Sequence, residues 1–207
     1  MAISRKPVRR TRGKRSAVPD AAPNSALVPV NAFGLSDADI EWSLRTGENA
    51  GLLEDYFGKD QYDELRRLAR AVETRAPRGG DRILILPGIM GSKLGYPRPV
   101  LDDIVWLDPV DIVVGRLAEL ELTPTEKSAI QPVGVILLAY LSLKFRLRLE
   151  GYDADFVPFD WRLSIRDLGK QLAKIINADE RPTQIVAHSM GGLVARACLT
   201  SVGAQLR

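Results

Sequence analysis

Apolar positions along this chain change period repeatedly. Between Ser36 and about Arg75 they recur every three or four residues, with Tyr62, Leu65, Leu68, Ala69 and Val72 on one face and Arg and Glu opposite. This predicts two helices broken near Thr46-Gly47, the first opened by a capping box at Ser36-Asp37-Ala38-Asp39. At Arg82-Ile83-Leu84-Ile85-Leu86 the pattern becomes a continuous apolar run between Asp81 and Pro87, as expected of a strand buried on both faces of a parallel sheet.

Residues 96–132 read as irregular, with a short helix from Val110 to Leu120. Helical periodicity returns from Gly134 to Leu149, with Val135, Leu138, Leu141 or Ser142, Phe145 and Leu149 inward, and Lys144, Arg146 and Arg148 near the C-terminal end of the dipole. Asp155 to Phe159 reads as a strand ending near Pro158, and Ser164 to Asp167 as the capping box of a helix facing inward through Ile165, Leu168, Leu172, Ile175 and Ile176. Arg181-Pro182 breaks it before a β-branched strand, Thr183 to Val186, and a last helical stretch, Leu193 to Leu199. Alternating strands and helices imply an α/β fold with a mostly parallel sheet flanked by crossover helices.

Composition divides the chain further. Its net charge is +3, yet residues 1–35 carry seven Lys or Arg against Asp20, leaving 22 basic and 25 acidic residues beyond them. That Pro-, Ala- and Arg-rich stretch is expected to be a disordered basic tail. A solvated tail is the plainer reading; weak contact with a membrane surface or with nucleic-acid phosphates is the other, and no specific nucleic-acid binding is expected. Residues 36–76 form a helical extension, either packed on the main domain or a separate module, and 80–207 form the main domain. No signal peptide or membrane-spanning run is seen, so the default expectation is cytoplasmic. One cysteine, Cys198, and one histidine, His188, exclude a disulfide framework and make a zinc site unexpected; no metal or other cofactor is called for.

The chemistry-bearing segment is Ala187-His188-Ser189-Met190-Gly191-Gly192, between the last strand and the last helix. A sharp strand-to-helix turn with small neighbours presents a serine oxygen and aims the following N–H at a developing oxyanion, the context of a nucleophile elbow. Ser189 is thus the candidate nucleophile and Met190 a candidate oxyanion-hole N–H donor. His188, next to Ser189, is expected to pack or hydrogen-bond near the turn rather than act as base. The second segment, Pro87-Gly88-Ile89-Met90-Gly91-Ser92, follows the buried strand at its carboxyl end, where ligands bind in open α/β sheets. It reads as a plain glycine turn or as the source of a second oxyanion N–H, from Ile89 first and Met90 next.

Leu-Pro-Gly-Ile-Met-Gly-Ser at 86–92, Trp-Leu-Asp-Pro at 106–109, the run from Gly151 to Arg162 and Ala-His-Ser-Met-Gly-Gly at 187–192 together resemble the lecithin:cholesterol acyltransferase-like family, a lipid-handling branch of the α/β-hydrolases. The resemblance covers about residues 80–203. It implies an acyl-enzyme on Ser189, oxyanion donors at Ile89 and Met190, a substrate-lining role for Gly88, Met90 and Trp106, and an ester of a lipid or other apolar acyl compound as substrate. Asp160 and Arg162 match a family signature, and a buried ion pair bracing the loop accounts for them at least as well as chemistry does. Many secreted members pin the region after the oxyanion loop with a disulfide; this chain has no cysteine there.

The family's triad runs Ser, Asp, His, but no Asp, Glu or His follows Ser189. The expectation is therefore an α/β-hydrolase fold truncated after the elbow helix and inactive as a fragment, with an open sheet edge. The intact protein would be a lipid acyl ester hydrolase or O-acyltransferase. The competing expectation is a non-catalytic half-domain that binds lipid or a partner protein.

Overall fold

The computed structural model describes residues 34–75, 80–98, 102–107, 115–122 and 129–202. The basic residues of the expected tail lie outside these, as does the larger part of 107–115.

Three helices come first: α1 (Asp37–Thr46), α2 (Ala50–Phe57) and α3 (Lys59–Thr74). Ser36 Oγ accepts the Asp39 N–H at 3.1 Å and opens α1 as the capping box predicts, and Gly47 closes it at φ 88°. The sequence pattern suggests two helices here, but Gly58, at φ 77° and ψ 150°, takes the backbone out of the helical region and separates α2 from α3. Ile40, Leu44, Leu53 and Leu65 share one apolar core with Leu137, Leu141 and Phe145 of a later helix. Leu35, at the end of the expected tail, is buried in the same core.

Strand β1 (Arg82–Leu86) is the centre of a parallel sheet, flanked by β5 (Asp153–Phe156) and β6 (Thr183–Ala187). Its continuous apolar run has the expected cause. Ile83 and Ile85 pack with Ala154 on one face, while Leu84 and Leu86 pack on the other against α5 (Ile165–Asn177) and α6 (Met190–Val202). β5 lies two residues before its predicted start, because its register with β1 begins at Arg82 opposite Asp153. Ser164 caps α5 by accepting the Asp167 N–H, and Ile175, assigned inward from the sequence, is exposed. α5 and α6 meet where Gly169 leaves space for Ala197, 2.7 Å from where a Cβ would stand.

The stretch expected to be irregular holds a second, antiparallel sheet: β2 (Ser92–Tyr96) between β3 (Asp103–Trp106) and β4 (Gln131–Val135). Of the helix expected over Val110–Leu120, the described part is a 3-10 turn, Arg116–Leu120. The helix expected from Gly134 begins later, as α4 (Leu137–Leu149), because Gly134 and Val135 pair with Lys93 and Ser92. Its buried face runs through Leu137, Leu141 and Phe145 and leaves Leu138 outside. Lys144 is buried rather than solvated near the helix end: its ammonium lies 2.7 Å from Glu41 and 2.6 Å from Asp155. The architecture is α/β, with a parallel and an antiparallel sheet among the described residues.

Candidate active site

Between the end of β6 and the start of α6 the chain has two residues, His188 and Ser189. Ser189 is exposed and sits at φ 50°, a left-handed conformation that costs a serine roughly 1–2 kcal/mol and persists only where neighbours fix it. Three backbone bonds do so: His188 N–H to Leu86 C=O at 3.0 Å, Gly191 N–H to His188 C=O at 2.9 Å, and Gly192 N–H to Ser189 C=O at 2.9 Å. The first turn of α6 lies so close to the end of β1 that a Cβ on Gly191 would stand 2.6 Å from the Pro87 carbonyl oxygen.

The segment after β1 forms a turn across Gly88-Ile89-Met90-Gly91, closed by Gly91 N–H to Gly88 C=O at 3.0 Å, with Met90 at φ 58°. Two aromatic side chains hold it. Trp106 Nε1–H donates to the Met90 carbonyl at 3.0 Å, and the Tyr140 hydroxyl accepts the Gly88 N–H at 3.1 Å. Trp106, read from the sequence as substrate-lining, thus braces the turn, and stacks edge-on with Trp161, ring centroids 5.7 Å apart.

The two turns touch: a Cβ on Gly88 would lie 2.9 Å from His188 Nδ1 and 3.2 Å from Ser189 Cβ. The sequence-predicted residues Gly88, Ile89, Met90, Ser189 and Met190 are therefore brought to one place, the carboxyl ends of β1 and β6. The backbone N–H groups of Ile89 and Met190 donate to no other described residue, whereas that of Gly88 is taken by Tyr140. Ile89 is 59% exposed, Met90 45% and Leu193 56%, so the surface beside Ser189 is apolar.

Tyr140, on α4, is the residue that sequence reasoning missed. Its oxygen also lies 3.0 Å from His188 Nδ1. The one available signal was a phenol on an otherwise aliphatic face, whose hydroxyl needs a partner.

The family model described as lecithin:cholesterol acyltransferase matches residues 137–206. Over this stretch the chain is similar to that family. The match spans Tyr140, Asp160, Arg162 and Ser189. The 86–92 and 106–109 motifs lie before it. No curated protein and no solved structure matches the chain.

Within the matched segment Asp160 and Arg162 form a buried bidentate pair, Nε to Oδ1 at 2.8 Å and Nη2 to Oδ2 at 2.7 Å. Arg162 also donates to the Leu120 carbonyl at 3.1 Å, so the pair ties two loops together. The perturbed acids belong to similar braces. Arg181 holds Asp179 down at about 2, at the opposite end of β6 from Ser189. Burial raises Asp155, but Lys144 outweighs it and leaves the carboxyl below its usual value. Burial pushes the Cys198 thiol up, which suits a packed rather than a reactive cysteine. No cluster of His, Cys, Asp or Glu among the described residues could hold a metal, and no described helix is long and apolar enough to cross a membrane.

Proposed function

We propose that Ser189 is the acyl-accepting nucleophile of a lipid acyl ester hydrolase or O-acyltransferase. The observation that carries the reading is the left-handed Ser189 between strand and helix, exposed beside two N–H groups that donate to no described residue. On this reading the β5–β1–β6 sheet with its helices belongs to an α/β-hydrolase-type domain over 80–207, preceded by a helical extension at 36–76.

Ser189 Oγ attacks the ester carbonyl carbon while its proton passes to a base. The N–H groups of Ile89 and Met190 receive the oxyanion, each such donor being worth about 10²–10³ in rate. Collapse expels the alcohol, which takes up a proton, and leaves an acyl-serine. Water or a second alcohol then takes the acyl group. The exposed Ile89, Met90 and Leu193 favour an apolar acyl chain over a polar one.

His188, the chain's only histidine, has Nδ1 against Tyr140 and makes no side-chain hydrogen bond to a described carboxylate. It is read as a brace. On this reading no described residue stands as base to Ser189, and the 207 residues by themselves are proposed to be inactive in turnover. The test is acyl release from lipid vesicles by the protein purified from its source, beside a Ser189→Ala version. Release that requires Ser189 supports the reading; release unchanged by Ser189→Ala overturns it. Vesicle binding without any acyl chemistry would favour the non-catalytic lipid-binding alternative.

A further inference from the structure

We propose that Tyr140 is a positioning residue that clamps the 88–91 turn to the Ser189 turn and fixes the tautomer of His188. The purpose of the clamp rests on the reading of Ser189 as nucleophile; its geometry does not.

A phenol oxygen has one proton to donate and lone pairs to accept with. In Tyr140 that oxygen accepts the Gly88 N–H at 3.1 Å and lies 3.0 Å from His188 Nδ1. No third polar partner of the hydroxyl occurs among the described residues. Were Nδ1 protonated, the oxygen would accept twice and its own proton would be left without a protein partner. Among the described residues all three groups find protein partners in one arrangement only: Tyr140 donates to a bare Nδ1, and the His188 proton sits on Nε2.

Two consequences follow for the site. The buried Gly88 N–H is removed from the pool of oxyanion donors, so Ile89 supplies the first free N–H of the turn. That peptide is also held from both ends, by Tyr140 at Gly88 and by Trp106 at the Met90 carbonyl. A donor that is fixed before substrate arrives needs no reorganisation during reaction. The His188 ring, meanwhile, is held beside Gly88 and the Ser189 backbone, its centroid 6.0 Å from that of Tyr140.

His188 is the only histidine, so its ring nitrogens give one unambiguous pair of signals. The experiment is long-range proton–nitrogen NMR on the whole 207-residue chain labelled with ¹⁵N-histidine, with amide exchange at Gly88, for wild type and Tyr140→Phe. The clamp predicts the Nε2–H tautomer in wild type. In Tyr140→Phe it predicts a mixture of tautomers and exchange at Gly88 faster by about tenfold, as loss of one hydrogen bond implies. The Trp106 indole signal should persist and report that the fold is kept. An Nδ1–H tautomer in wild type overturns the proposal even if the variant fails to fold. So does a Tyr140→Phe protein in which both readouts are unchanged. Failure of Ser189 to react with an acyl-enzyme probe in the protein purified from its source, with the tautomer intact, counts against the nucleophile and leaves the clamp standing.

Discussion

Gly88 and His188 meet with no room for a methyl group between them: a Cβ on Gly88 would lie 2.9 Å from His188 Nδ1. His188 cannot give way without leaving Tyr140, and the next atom, Ser189 Cβ, is 3.2 Å away. Gly88→Ala is therefore expected to destabilise the protein by roughly 1–3 kcal/mol through overpacking and to shift the Tyr140 and Ser189 signals. Urea midpoints and a proton–nitrogen correlation spectrum check both.

The two glycines after Met190 should behave oppositely. A Cβ on Gly191 meets backbone, 2.6 Å from the Pro87 oxygen, whereas one on Gly192 meets nothing within 4 Å. Gly191→Ala is expected to cost about 1–3 kcal/mol or more. Gly192→Ala should be neutral or stabilising by up to about 1 kcal/mol, since alanine is the better helix former. Thermal unfolding of the two variants side by side distinguishes them.

The Asp160–Arg162 pair predicts a large single-variant cost. Removing Arg162 leaves a buried carboxylate uncompensated and two loops untied, so Arg162→Met should lose about 3–5 kcal/mol. Combining it with Asp160→Asn should cost less than the sum of the two single changes, which a double-mutant cycle in denaturant measures.

Acid should act through Asp155. Burial raises its carboxyl, but the Lys144 ammonium at 2.6 Å more than offsets this, so the folded value lies below 3.8. A depressed folded value contributes stability that is present above the unfolded value and is lost as pH falls through the folded one. Asp155→Asn should thus be less stable than wild type at neutral pH, with the gap closing below 3.8. Urea midpoints followed down the pH scale give the comparison.

How far these features were legible in the chain depended on how local their causes are. The caps at Ser36 and Ser164 bond three residues ahead, and the apolar run at Arg82–Leu86 carries its own burial, so both are plain in sequence. The setting of Ser189, strand then helix with small neighbours, is local too. The antiparallel sheet is not: β2 contains Lys93 and Gly95, and one of its two partners, β4, is remote in the chain. Lys93 is buried with its ammonium 2.8 Å from Asp37 and 3.2 Å from the Leu35 carbonyl, both far off in the chain. Tyr140 escaped for the same reason, its two partners standing 52 and 48 residues away in the chain. The late start of α4 follows from β4 pairing with β2.

The most direct test of the central claim is covalent labelling of the protein from its natural source with a fluorophosphonate, the labelled residue located by mass spectrometry and Ser189→Ala run alongside. On that claim a single adduct on Ser189, absent from the variant, is expected. A native protein that stays unlabelled, or carries its adduct on another residue, would contradict it.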